Sequence, residues 1–272
     1  MRILHVSDIH FGAHEDELVD ALCDSIEELA PDLVIASGDF TSAGRPREFL
    51  QARALIESLS APVLATPGNH DIPAYALFER FFRPLRRYRR TIEPVTMDRS
   101  VEETHAILSL NTARAWDLSL DWSHGYVSRA QVEDASSFFR AHADAPFKAL
   151  VVHHPFIVPD WIPGFRAIRN GEAMLRVLAE HRVDAVFAGH LHQRFSVTYG
   201  EDVAAPDHSV TVLQVGTATS HRRRDQPNGF ALVEIQGGSH EVIAHEYRGG
   251  SFVRTDAVPH ANAGISDPYR SA

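Results

Sequence analysis

Short apolar runs recur along the chain, and each one stops at small or polar residues: ILHVS (3–7), LVIAS (33–37), PVLAT (62–66), KALVVHH (148–154) and DAVFAGH (184–190). Continuous runs of this length, rich in branched aliphatic residues, read as strands covered on both faces. Between them, apolar positions follow helical spacing over 15–30, 46–59, 128–142 and 171–182. The third of these opens with Ser128 and Gln131 at the spacing of a capping box. Strands alternating with helices predict βα units around a sheet with substantial parallel pairing. After His192 the pattern changes to strands without helices, at 194–199, 210–215, 229–235 and 241–247, which predicts an antiparallel second sheet. Two stretches, 72–100 and 155–170, mix arginine, proline and aromatic residues and are expected as cap or rim insertions. A single domain over 1–255 followed by a C-terminal tail, 256–272, is the expected organisation.

Composition narrows the function classes. The 272 residues carry a formal net charge of −10, which argues against general affinity for nucleic acid. Local exceptions are RPLRRYRR (83–90) and Arg222–Arg224, each of which reads as a solvated or salt-bridged face. A single cysteine, Cys23, excludes an internal disulfide and a multi-cysteine metal site. No apolar run approaches the roughly 20 residues of a membrane span, and the N-terminus reads as a strand rather than a signal segment. A soluble, cytoplasmic protein is expected.

The strand ends carry the chemistry. The five runs lead into Asp8 and His10; Gly38 and Asp39; Gly68, Asn69, His70 and Asp71; His153 and His154; and Gly189, His190 and His192. Ligands of α/β sheets bind outside the carboxyl ends of the strands, so these clusters are expected to converge on one crevice. Carboxylate, amide and imidazole donors without thiolates suit first-row transition cations, and the number of donors fits two ions. In D-x-H and H-x-H the flanking side chains share one side of an extended backbone. Glycines before Asp39, Asn69 and His190 permit tight turns. A lone D-x-H is common, and a histidine in a strand is usually a core residue. It is the five clusters at five strand ends that carry the reading.

In these blocks the chain resembles the calcineurin-like metallophosphoesterases, whose pattern is D-x-H, G-D, G-N-H-[DE], H and G-H-x-H. The wording S-D-I-H, G-N-H-D and V-H-H-P is similar to the bacterial class III cyclic nucleotide phosphodiesterase and glycerophosphodiesterase branch. The resemblance implies an α/β fold, a four-layer α/β/β/α sandwich of two mixed sheets flanked by helices. It implies two divalent or trivalent transition-metal ions (Mn, Fe or Zn), with Asp8, His10 and His192 on one, Asn69, His153 and His190 on the other, and Asp39 bridging. His153 is preferred to His154 because the family's ligand usually lies two residues before the proline. His70 is implied as the catalytic histidine, with Asp71 orienting it. The implied activity is hydrolysis of a small phosphodiester, such as a cyclic nucleotide or a glycerophosphodiester, by a metal-bound hydroxide. Trp161, Phe165 and Trp122 are candidates to pack against a base or alkyl group, and His154, His221 and Arg222 to line the same opening. A phosphomonoesterase, a nuclease, a lipid-precursor pyrophosphatase and a non-catalytic scaffold of the same fold remain as alternatives. The expected partner is a small-molecule phosphodiester, and a homo-oligomer is left open.

Overall fold

In the computed structural model, which describes residues 1–116, 123–162, 164–199, 208–237 and 239–255 together with the backbone of 260–261, the patterned segments take the expected forms. β1 (Arg2–Val6), α1 (Asp16–Leu29), β2 (Leu33–Ala36), α2 (Pro46–Ser58) and β3 (Val63–Ala65) come first. Residues 72–100 supply α3 (Leu77–Phe82), α4 (Arg86–Thr91) and β4 (Arg99–Glu102). Then follow β5 (His105–Ser109), α5 (Arg129–Ala141), β6 (Phe147–Val151), α6 (Gly171–Glu180) and β7 (Ala185–Ala188). The chain continues through β8 (Phe195–Tyr199), β9 (Val210–Gln214), β10 (Gly229–Gln236), β11 (Ser239–Arg248), β12 (Ser251–Thr255) and β13 (His260–Ala261). Trp122, and all of the tail 256–272 except 260 and 261, lie outside the described residues.

Local chemistry sets the helix ends. Asp16 and Glu17 place negative charge in the first turn of α1, where the backbone dipole favours it. Pro46 opens α2 at a position whose N–H would have no helical partner, and Glu48 Oε2 accepts the N–H groups of Ala43 (2.9 Å) and Arg45 (3.1 Å). The capping box of α5 forms as its spacing predicts: Gln131 N donates to Ser128 Oγ (3.3 Å) and Ser128 N to Gln131 Oε1 (2.9 Å).

The strands divide between two mixed sheets, ordered β12-β11-β10-β1-β2-β3 and β13-β8-β9-β7-β6-β5-β4. Here the structure corrects the expected antiparallel sheet of late strands. β10 pairs antiparallel with β1, Arg2 opposite Glu234 through His5 opposite Ala231, so β10–β12 complete the first sheet. β9 runs parallel to β7 and joins the other sheet with β8. A strand's side-chain pattern does not say which edge its backbone will pair with, and without β10 and β9 both β1 and β7 would offer one.

Three apolar clusters define four layers. Leu18, Leu22 and Ile26 of α1, and Phe49, Ala52 and Ile56 of α2, pack on the outer face of the first sheet. Tyr88 and Ile92, from the arginine-rich stretch, belong to the same cluster. Phe139 of α5 and Met174, Leu175 and Leu178 of α6 cover the second sheet. Ile3, Ile35, Phe147, Val151 and Phe187 fill the space between the sheets.

His5 is buried in that inner space, edge-on to Phe187 with ring centroids 5.1 Å apart, and its Nε2 lies 2.8 Å from Ser37 Oγ. Burial pushes the imidazole down from 6.5 to about 3, against a partial lift from Asp8. The ring is therefore neutral when folded and gains a proton on unfolding. Its contribution to stability is complete above the unfolded value near 6.5 and is lost as pH falls toward 3, a loss of about 2 kcal/mol at pH 5. His5→Leu should flatten the dependence of urea-unfolding stability on pH between 8 and 5. Equal slopes in the two proteins would remove His5 from this account.

Candidate metal centre

The parallel strands of both sheets end at one cleft, and backbone hydrogen bonds join the segments that follow them. Asp8 N donates to Gly38 O (3.0 Å), His10 N to Asp39 O (2.9 Å) and Gly189 N to His153 O (3.0 Å). Among the bonds that cross between the sheets are those from His190 N to Asp8 Oδ2 (2.9 Å) and from His153 Nδ1 to Ser37 O (2.8 Å). The clusters read at five strand ends thus meet in space.

The backbone reaches this arrangement by a route other than the expected one. Asp8, His10, Asp39, His190 and His192 all have positive φ, between 52° and 77°. The D-x-H and H-x-H pairs converge because positive-φ residues on either side of Ile9 and of Leu191 turn the chain, not because side chains alternate along a strand. Such conformations strain non-glycine residues and gather at functional sites. Gly38 has φ +98°, and a Cβ there would stand 2.7 Å from His153 Nδ1 and 2.8 Å from Gly68 N, so both conformation and space require glycine.

Hydrogen bonds to carbonyl oxygens fix which nitrogen of each ring faces the cleft. A carbonyl only accepts, so Nδ1 carries a proton in His10 (to Thr41 O, 3.1 Å), His153 (to Ser37 O), His192 (to Arg222 O, 2.6 Å) and His70 (to Ser42 O, 2.8 Å). Each ring presents Nε2 inward. Nε2 of His10 and His192 stand 3.1 Å apart, with Asp8 Oδ1 3.2 Å from His192 Nε2 and 3.7 Å from His10 Nε2. On the other side, His153 Nε2 lies 3.2 Å from Asn69 Oδ1 and 3.3 Å from Asp39 Oδ2. Asp39 Oδ2 is also 3.7 Å from His10 Nε2, so it stands between the two groups.

Asp8 Oδ1 and Asp39 Oδ2 are buried without a hydrogen-bond donor. Donor atoms of Asp8, His10 and His192 lie within 4.8 Å of one another, as do those of Asp8, Asp39 and His153, and those of His153, His154 and His190. Facing carboxylate oxygens and ring nitrogens demand shared positive charge, and a divalent cation supplies it. The donor set fits such ions.

The electrostatics report the same demand. Burial works against the Asp8 carboxylate, but His192 outweighs it and holds the carboxyl below its usual range. Burial is likewise outweighed at Asp39 by His153 and His70. His153 is lifted to about 9, since Asp39 overcomes the burial that would lower it. Burial lowers His10 to about 4, and burial with the charge of His153 lowers His190 to about 3.

Asp71 is placed differently from the expectation that it orients His70. Its Oδ1 accepts from Thr41 N (2.9 Å) and Thr41 Oγ1 (3.0 Å), and its Oδ2 from Gly68 N (2.9 Å) and Phe40 N (3.3 Å). The carboxylate ties the loop after β2 to the loop after β3, while the Ser42 carbonyl holds the His70 ring. Burial, with Asp39 nearby, pushes the Asp71 carboxyl up to about 7.

Among the candidates for the opening, His154 is buried, its Nδ1 2.8 Å from Thr112 Oγ1 and its Nε2 without a hydrogen-bond partner. Phe165 stands edge-on to His190 at 5.9 Å, and the Arg224 guanidinium lies 4.4 Å over its ring. Arg222 Nη1 lies 3.4 Å from His70 Nε2. Trp161 is 58% exposed and meets Phe195, and the exposed His221 is held through its backbone N–H to Ala13 O (3.1 Å). Neither shows a contact with the donor cluster among the described residues.

Several supporting residues escaped the sequence reading. Thr217 Oγ1 donates to Asp8 O (2.6 Å), Thr219 Oγ1 to Ile9 O (2.8 Å), and Gln214 to Gly189 O, bracing the left-handed turns. The run of threonines and serine directly after β9 was the available signal.

With this geometry in place, the comparisons with known proteins fall into line. The sequence profile of the calcineurin-like phosphoesterases matches residues 1–194. Glycerophosphodiester phosphodiesterase GpdQ of Enterobacter lignolyticus is 26% identical, over 75% of this chain and 76% of its own. The cAMP/cGMP dual specificity phosphodiesterase MT0825 of Mycobacterium tuberculosis is 28% identical, over 94% of this chain and 83% of its own. Among solved structures, a dimetal phosphatase from Danio rerio has the same fold, with a TM-score of 0.65 at 14% identity, covering 93% of this chain and 98% of its own. The two-sheet sandwich, the donors gathered where its strands end and the profile match over most of the length agree: the chain belongs to the calcineurin-like phosphoesterases.

Proposed function

We propose that the protein is a binuclear-metal phosphodiesterase acting on small phosphodiesters. The observation that carries this reading is Asp39 Oδ2, buried without a donor and 3.3 and 3.7 Å from the Nε2 atoms of His153 and His10. Asp8, His10 and His192 would hold one ion, Asn69, His153 and His190 the other, and Asp39 both, with His154 close enough to the second group to support it. Two bound cations would supply charge for the phosphate oxygens and an acidified water as nucleophile at neutral pH.

The chain's own residues do the rest. The Ser42 carbonyl aims His70 Nε2 at the cleft, from where it would pass a proton to the leaving alkoxide as the bond from phosphorus to that oxygen breaks. Arg222, beside His70, donates to a non-bridging phosphoryl oxygen and stabilises the charge that builds there. Phe165, backed by Arg224, forms a wall for the organic group. Water adds to phosphorus and the products are a phosphomonoester and an alcohol. The names of the two relatives support a diester substrate, a cyclic nucleotide or a glycerophosphodiester. No helix among the described residues is long and apolar enough to cross a membrane, and the reading places the enzyme in the cytoplasm.

The test compares bis-p-nitrophenyl phosphate with p-nitrophenyl phosphate at matched metal loading. The diester should be hydrolysed faster, and the reverse order would replace this reading with a phosphomonoesterase.

A further inference from the structure

α3 and the residues around it expose apolar groups that the metal centre does not use. Tyr75, Leu77, Phe78, Phe81 and Phe82 are 76, 54, 74, 44 and 71% exposed. Phe78 and Phe82 lie one helical turn apart with ring centroids 4.8 Å from each other. Leu77 and Phe78 share a shallow hollow with Arg83 and Arg86. Isolated exposed apolar residues are ordinary, but a contiguous group of this size marks an interaction surface.

The platform beneath is fixed. Arg87 donates to Gly44 O (2.6 Å) and pairs with Glu79, and Arg80 is buried with Nη1 3.3 Å from Pro73 O. Arg45 stacks over Tyr75 at 5.5 Å. Arg83, Arg86, Arg89 and Arg90, on and just before α4, are exposed, with Arg86 Nη1 3.6 Å from Glu79 and Arg89 Nε 3.9 Å from Glu93 at the surface. Residues 75–93 contain six arginines and two glutamates, on a chain whose formal charge is −10.

Charge selects the occupant. In a two-fold pair of this chain, each basic patch would face its own copy. An anionic bilayer offers an apolar layer for the rings and phosphates for the guanidinium groups. We propose that this segment docks the protein on the surface of an anionic lipid bilayer. Phe78 and Phe82 enter the headgroup boundary, and Arg83, Arg86, Arg89 and Arg90 bind lipid phosphates. His70 lies five residues before Tyr75, at most about 18 Å along the chain, so docking holds the metal centre close to the membrane. This inference is independent of which phosphoester is cleaved.

Sedimentation of the full chain with phosphatidylglycerol-containing vesicles, against pure phosphatidylcholine vesicles, tests it. Binding should require the anionic lipid and weaken as salt is raised. Phe78→Asp with Phe82→Asp should lower the partition coefficient at least about tenfold, and Arg83→Gln or Arg90→Gln about fivefold each. Hydrolysis of soluble bis-p-nitrophenyl phosphate without vesicles should be unchanged in these variants, which also shows that they fold. Failure to bind the anionic vesicles, or binding that survives the double aspartate substitution, overturns the proposal. So does a dimer in sedimentation velocity that this substitution splits, which would make the patch an interface between copies.

Discussion

Asp39→Asn should abolish activity and strip metal from both positions at once. The two carboxylate oxygens have different tasks: Oδ1 accepts the His70 backbone N–H at 2.8 Å, while Oδ2 faces the His10 and His153 nitrogens without a donor. An amide has one oxygen to offer. Either its NH2 group meets the His70 N–H, donor against donor, or it points at the cations that Oδ2 would bind. The buried negative charge is also gone, so the attraction that collects cations falls sharply in a site from which water is excluded. We expect metal content to fall from two equivalents to under one, and kcat/KM to fall at least about a thousandfold. His10→Ala or His153→Ala should weaken mainly one position. Elemental analysis finding both equivalents retained in Asp39→Asn would sink the bridging role.

His70→Ala should behave in the opposite way, losing turnover while keeping metal. The His70 ring contacts the Ser42 carbonyl, Arg222 and, edge-on at 4.9 Å, the His10 ring, whose Nδ1 is held separately by Thr41 O, and the contact to Asp39 comes from the His70 backbone N–H, which alanine preserves. A proton donor to the leaving group contributes about 10²–10⁴-fold. The kcat loss should therefore fall in that range for an alkyl leaving group and shrink for p-nitrophenolate, which leaves without protonation. Metal lost in proportion to activity would show His70 to be a ligand instead.

The residues that gather in the cleft were legible because they depend on residue type and order. Asp8, His10, Asp39, Asn69, His153, His190 and His192 each follow a strand end that an apolar run announces. What the sequence hid follows from geometry. Strands of either sheet have the same pattern, so nothing in GFALVEI (229–235) says that it lies beside β1. β5 (His105–Ser109) was missed, and with it Thr112, which holds His154. Positive-φ turns at Asp8 and His190 suit aspartate and histidine better than most residues, but the sequence does not mark them, because the partners that hold the neighbouring carbonyls, Thr217, Thr219 and Gln214, lie far along the chain. Adjacency misled in one case: Asp71 follows His70 in sequence, yet its carboxylate bonds to the Thr41, Phe40 and Gly68 backbone.

The pairing of β1 with β10 also bears on how the protein is made. Once β1 and β2 have left the ribosome they can pair, but the other edge of β1 stays open until residues 229–236 emerge. At about 5–20 residues per second this interval lasts on the order of ten seconds or more, during which an apolar strand edge is free to pair wrongly. The stretch 1–194 holds every proposed ligand but lacks both this partner strand and the threonines that brace Asp8 and Ile9. A nascent chain released at that length would carry the whole ligand set on an unfinished sheet, and a chaperone would meet it as an aggregation-prone intermediate.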